Sequence, residues 1–168
     1  MNRYPVWWDT TITIYNKFTD PQTRVISWYR TVLNNCFWKY TGDKITVGET
    51  VIQTDDTICR IPANQDNSAI VGLAVAGKAI VGNTASYLDR YEWESLPNDQ
   101  MGSYFTLGVD DILVKGEVSD IIDEYASGHR SSDFITKYKK LQGCIVVKMF
   151  SINTGIGRGN EHYYVKGV

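Results

Sequence analysis

Histidine is nearly absent from this chain: His129 and His162 are its only two, and they stand far apart. Neither sits in an HxxxH-type spacing, so a histidine metal site is not encoded locally. Cysteine is scarce too. Cys36, Cys59 and Cys144 are an odd number without CxxC spacing, which excludes a disulfide framework and a cysteine zinc site. A reducing compartment is the simpler expectation. Four prolines in 168 residues leave long stretches free to pair as strands. No charge sign dominates. The net charge of −2 and pI of about 5.7 argue against a tight phosphate-backbone binder, which needs clustered Lys and Arg. Long hydrophobic runs are missing as well. The longest, Ala69 to Val81, is broken by Lys78 and falls short of the roughly 20 residues of a membrane-spanning helix. Met1 to Pro5 is not followed by the apolar core of a signal peptide.

What is present is β character. Hydrophobic residues make up 43% of the chain, and Tyr (11) and Trp (5) favour strands. The length suits a single domain with a sizeable core. Ile12 and Ile14 alternate with Thr11 and Thr13, the period of a half-buried strand. Asp20-Pro21 marks a turn, and Arg24 to Leu33 reads as a second strand. Asn34-Asn35 can take positive φ, which predicts a tight turn and a third strand over Cys36 to Tyr40. Thr46 to Gln53 and Thr57 to Ile61 read as a hairpin around Asp55-Asp56, closed by Pro62. Tyr104 to Leu107 and Ile112 to Val118 read as another around Asp110-Asp111.

The best helix runs from Ser131 to Leu141. A serine at its start predicts a cap, Phe134, Ile135, Tyr138 and Leu141 share a face, and Gly143 ends it. A final hairpin follows around Gly155-Ile-Gly-Arg-Gly159, and its last strand is expected to pair with the opening segment Trp7 to Tyr15. The expected fold is therefore mainly β. It is a small barrel or sandwich over residues 1–168, with a C-terminal helix before the last hairpin.

The pattern changes from Ala63 to Ser103. This Gly-, Ala- and Asn-rich stretch of about forty residues is long for a connection, and long loops are often functional. It reads as an insertion or arm that touches a neighbour or constricts a channel. Its candidate interface residues are Ile70, Val71, Leu73, Val75, Lys78, Ile80, Tyr91 and Trp93. Thr84 to Leu96 within it reads as a short helix capped by Thr84 and stopped by Pro97.

Several local patterns suggest chemistry and stop short of it. Gly72 to Lys78 has the G-x-x-x-x-G-K spacing of a P-loop, but Ala79 replaces the hydroxyl that should hold Mg²⁺. Gly155 to Gly159 could cradle an anion, yet it lies between strands rather than before a helix. The aspartate pairs could bind Ca²⁺ or act as acid and base; turn aspartates satisfying local N–H groups explain them more simply. Five tryptophans could form a stacking platform or simply fill a core. No cofactor or metal is expected, and no catalytic set is complete.

The order of these motifs resembles the small β-barrel members of the tailed-phage head-closure family, also called stoppers or head–tail connectors. The resemblance rests on Thr11 to Lys17 followed by Trp28 to Trp38, on Phe105 to Gly116, and on Val147 to Gly155 leading to Glu161 to Gly167. The chain is also similar to uncharacterised proteins encoded in phages and prophages of Gram-positive bacteria. What the resemblance implies is a non-catalytic virion protein at the head–tail junction. Such a protein forms a ring, six- or twelve-fold, between portal or adaptor and tail proteins, with transient contact with packaged DNA and none with a membrane. Two other classes stay open: a carbohydrate- or cell-surface-binding β domain of a phage tail, and an enzyme, either a hydrolase using the Asp pairs or a nucleotidase using the loop at Gly72 to Lys78.

Overall fold

A computed structural model describes residues 5–63, 78–79, 85–153 and 161–168. Within it, β1 (Thr10–Thr19), β2 (Ile26–Val47), β3 (Thr50–Pro62), β7 (Ile112–Lys115), β8 (Cys144–Asn153) and β9 (His162–Gly167) close a barrel in the order β1-β2-β3-β9-β8-β7. A second sheet of three short strands comprises β4 (Lys78–Ala79), β5 (Ser86–Tyr87) and β6 (Tyr104–Phe105). Helices α1 (Arg90–Glu94) and α2 (Asn98–Met101) lie between β5 and β6, and α3 (Ser131–Leu141) precedes β8. The mainly β barrel and the helix before the final hairpin are as the sequence pattern indicates.

The longest strand departs from expectation. Asn35 does take positive φ, at 58°, but the chain does not turn back. The register slips there instead: Thr10 faces Cys36 and Ile12 faces Leu33, so β2 carries an extra residue. Such a bulge bends a strand and raises its twist. Residues up to Cys36 pair with β1, and those from Phe37 onward pair with β3. One 22-residue strand thus replaces the two predicted strands and makes a corner of the barrel.

The real turn follows at Gly48-Glu49, where Gly48 takes φ +65° and Val47 pairs with Thr50. Asp55 and Asp56 therefore lie inside β3 and face Gly42 and Thr41, correcting the hairpin placed around them. Pro62 does end the strand. The segments flanking Asp110-Asp111 do not pair with each other either. Tyr104–Phe105 pairs in parallel with β5, while Ile112–Lys115 pairs with β1 and β8. The last strand pairs with β3 and β8 rather than with β1, which sits across the barrel from it.

Three apolar clusters hold this together. Ile12, Ile14, Leu33, Ile61, Leu113, Val147, Tyr163 and Val165 fill the barrel. The opposite parity of β1 is also covered: Tyr15, with Ile112 and Val114, packs beneath Phe134 and Tyr138 of α3. Thr13, expected on the wet face, is buried, donates to the Gly116 carbonyl at 2.8 Å and accepts from the Val118 N–H at 2.9 Å. The alternation in β1 separates barrel interior from helix-covered exterior, not core from water. Leu141 is exposed although it was expected on the buried face of α3. The N-cap of that helix is Arg130, with no side-chain cap bond, rather than a serine. Gly143, at φ +98°, ends it as expected. The third cluster, Phe18, Leu88, Trp93, Leu96, Met101 and Tyr104, seats α1 and α2.

Among the described glycines the tightest backbone approach is at Gly167, where an added Cβ would collide with the Val146 carbonyl oxygen. Gly167 pairs with Thr57 on one side and Val147 on the other. Gly167→Ala is expected to cost about 1–3 kcal/mol through overpacking, read as a lower urea midpoint at unchanged slope.

Candidate functional site

The most concentrated buried polar chemistry lies where β1 meets the turn before β7 and the start of α1. Asp110 takes φ +75°, a backbone state that aspartate adopts more readily than most residues. That turn drives Asp111 inward to zero exposure. One of its carboxylate oxygens accepts from the Lys17 backbone N–H at 2.9 Å, the other from the Asn16 side-chain amide at 2.8 Å. Asn16 also donates to the Thr106 carbonyl at 2.8 Å and accepts from the Thr106 N–H at 3.2 Å. Arg90, the first residue of α1, pairs with Asp111 at 3.2 Å and with Glu94 at 2.6 Å. It also donates to the Lys17 carbonyl, and its guanidinium lies 5.2 Å from the Trp93 ring centroid. The guanidinium abuts Gly108, where an added Cβ would come within 2.9 Å of it.

Burial pushes the Asp111 carboxyl up to about 6, against the opposing pull of Arg90 and the Lys17 and Asn16 hydrogen bonds. Both carboxylate oxygens of Asp111 and the side-chain amide of Asn16 are satisfied by protein groups, while the buried Thr106 hydroxyl beside them has no partner. The work of the network is to fasten the 85–105 unit to the barrel, and it has the makings of a clamp rather than of an acid–base pair.

Two clefts flank α3. One, of about 490 Å³, is lined by Trp38, Tyr40, Lys115, Lys139, Gln142 and Cys144 among others. The Trp38 indole lies beside Gly143, where an added Cβ would make only ordinary contact at 3.6 Å; the φ of +98° is what calls for glycine. Gln142 donates to the Lys115 carbonyl at 2.6 Å. The other cleft, of about 440 Å³, contains Asp120, His129 and Lys137. Asp120 accepts from Lys137 at 2.5 Å and from the Tyr138 hydroxyl at 2.9 Å, bonds that lower its carboxyl below the usual range.

Of the eight interface candidates singled out from sequence, the structure describes Lys78, Tyr91 and Trp93. Ile70, Val71, Leu73, Val75 and Ile80 lie outside the described residues, as do the glycines Gly72 and Gly155 to Gly159. Lys78 pairs through its backbone with Tyr87. Tyr91 is 80% exposed. Trp93 is not: it is fully buried, donates to the Met101 carbonyl at 3.1 Å and meets Phe18 and Tyr29 edge-on. An apolar ring with its N–H satisfied inside the protein belongs to the core. The helix holding it is capped by Asp89, not Thr84, and Pro97 opens α2 rather than merely closing α1. Trp8 is buried too, and Trp28 and Trp38 are half-buried, so a stacking platform of tryptophans is not displayed. Trp7 alone among the five is largely exposed.

All three thiols are buried and free. Burial pushes Cys144 up to about 12, and burial with the neighbouring Cys59 raises Cys36 well above its ordinary value. Protonated thiols are poor nucleophiles, which disfavours a Cys–His pair. His162 instead faces Asn153 at 3.1 Å and the edge of Trp8. Among the described residues no three His, Cys, Asp or Glu side chains cluster as a metal site. No helix among them is long and apolar enough to cross a membrane.

Sequence reading noticed Asp111 but not its partners. Arg90 carries no signal by itself. Asn16 offers a faint one: it continues the inward parity of Ile12 and Ile14, where a polar side chain needs partners.

These features define a closed six-stranded β-barrel protein with a clamped lateral layer. Residues 7–168 match a family described as a family of unknown function, DUF6751, and the chain belongs to it. No curated protein and no solved structure matches the chain.

The clamp makes two measurable claims. Arg90→Leu strands a buried carboxylate and should cost about 3 kcal/mol; the double variant Arg90→Leu/Asp111→Asn should cost less than Arg90→Leu alone. Asp111 also has a pH signature. Its folded-state pKa lies above the ordinary 3.8, so its stabilising contribution is full below that value and is lost as pH rises through about 6. Urea midpoints measured from pH 4 to 7 should therefore show a component of this sign that Asp111→Asn abolishes.

Proposed function

We propose that this chain is a structural component of a tailed-phage head–tail connector, a closure ring between the portal or adaptor layer and the tail. The observation that carries the reading is where the resembling segments fall. Thr11 to Lys17 lies on β1 and Trp28 to Trp38 on β2; Phe105 to Gly116 starts in β6 and includes all of β7, Val147 to Gly155 begins on β8, and Glu161 to Gly167 includes β9, so the segments touch five of the six barrel strands. The resemblance is thus spread around one closed body rather than confined to a turn or a loop.

The physical properties suit such a ring. A near-neutral chain holds DNA phosphates weakly, as a channel that must release DNA requires. A closed barrel gives a rigid subunit whose strands are mostly protected from nonspecific edge pairing. Ring contacts are heterologous and need two different complementary faces on each copy.

Imaging of purified particles tests this. The chain is expected as a ring at the head–tail junction, and its deletion is expected to yield DNA-filled heads that lose DNA or fail to join tails. Particles lacking the chain at that junction, with normal head–tail joining in the deletion, would reject the reading.

A further inference from the structure

The barrel does not use all of β2 and β3. β9 follows β3 only as far as the Gly167–Thr57 pair, and β1 leaves β2 at Cys36. From Thr41–Asp56 to Val47–Thr50, seven cross-strand pairs run on as a ribbon of two strands. At about 3.3 Å per residue that is roughly 23 Å of chain. Neither edge of this ribbon pairs with another described strand. An isolated two-stranded ribbon is marginal in water and calls for a partner. Its sequence, residues 41–56, has four carboxylates against one lysine; Asp43, Asp55 and Asp56 belong to the barrel end, where Asp56 pairs with Lys166 at 2.7 Å, and Glu49 is the carboxylate of the tip. Glu49, at the tip, is exposed.

The opposite charge is on the same molecule. Lys115 and Lys139 line the cleft of about 490 Å³, Lys140 follows on α3, and all three are exposed with no ion pair among the described residues. Trp38 and Tyr40 give that cleft an apolar wall. Tyr40 and Thr57, where the ribbon leaves the barrel, are part of the cleft wall, so in its own copy the tip is separated from the cleft by the length of the ribbon, roughly 23 Å.

We infer that the ribbon of one copy docks its tip, with Glu49 leading, in the Lys115–Lys139 cleft of a second copy. Tip and cleft are different surfaces, so the contact is head-to-tail and repeats from copy to copy. It supplies the two complementary faces that the ring needs, and it rests on the connector reading for its setting. The charges set register and encounter rate, and Trp38 and Tyr40 provide the area that excludes water.

Carbodiimide coupling of a mixture of isotopically heavy and light full-length protein reads the contact directly. Heavy–light links from Glu49 to Lys139 or Lys115 are expected. Sedimentation should show self-association that weakens at least tenfold in Lys115→Glu/Lys139→Glu and recovers when Glu49→Lys is added. Recovery by charge exchange is a result that damage to the fold would not give. Association that ignores these reversals, or a monomer without heavy–light links up to about 0.5 mM, where even a millimolar dissociation constant leaves visible dimer, would overturn the inference. The two proposals fail separately. A ring at the junction without the Glu49 link sinks only the docking, and the link in solution without the chain in particles sinks only the connector reading.

Discussion

A closed barrel requires each strand to find two neighbours, and β2 meets that requirement by changing partners midway. Everything else follows from the bend at Asn34-Asn35. Before it, β2 lies against β1; after it, β2 lies against β3. Without the extra residue, the inward parity of Leu33 would not carry over to Cys36, and one half of the strand would turn its apolar side chains outward. The positive φ of Asn35 is tolerable because its short polar side chain suits that backbone region, whereas a β-branched residue would strain it. The same long strand then outruns the barrel and leaves the ribbon beyond Tyr40.

The second organising element is charge placed where water is not. Asp111 holds β1 through the Lys17 N–H and Asn16, and holds α1 through Arg90. Asn16 spends its remaining bonds on Thr106. Three stretches of chain, around residues 16, 90 and 108, are therefore fixed to one another by a network with strict geometry. Apolar packing of Trp93 and Leu88 adds area but little direction; the carboxylate and guanidinium supply the orientation.

Much of the fold was legible because β periodicity and turn chemistry are local. The Ile12/Ile14 alternation, the Asp20 turn, the helix beginning at Ser131 and the final hairpin all lie where the residues place them. The errors have one physical source. A residue capable of positive φ permits a turn but does not require one: Asn34-Asn35 became a bulge, and Asp55-Asp56 stayed extended while Gly48 turned. The same limit hid the site. Arg90 and Asp111 are 21 positions apart, and nothing in either neighbourhood names the other. Trp93 looked available because a Gly- and Ala-rich context suggests exposure, yet a short capped helix returns it to the barrel wall.

The pairing of β1 with β7 has a consequence for how the chain acquires its shape. Ile12 meets Lys115 and Tyr15 meets Ile112, contacts that span about a hundred positions, and β9 must then slot between β3 and β8. Such distant pairings carry a high contact order and fold slowly. On the ribosome, the first strands would emerge long before their partners, with β1 and β3 each open on one side. The barrel closes last, at β9, and until then its apolar edges are the chain's most aggregation-prone surface. A nascent chain of this kind depends less on final stability than on how quickly its last strand arrives.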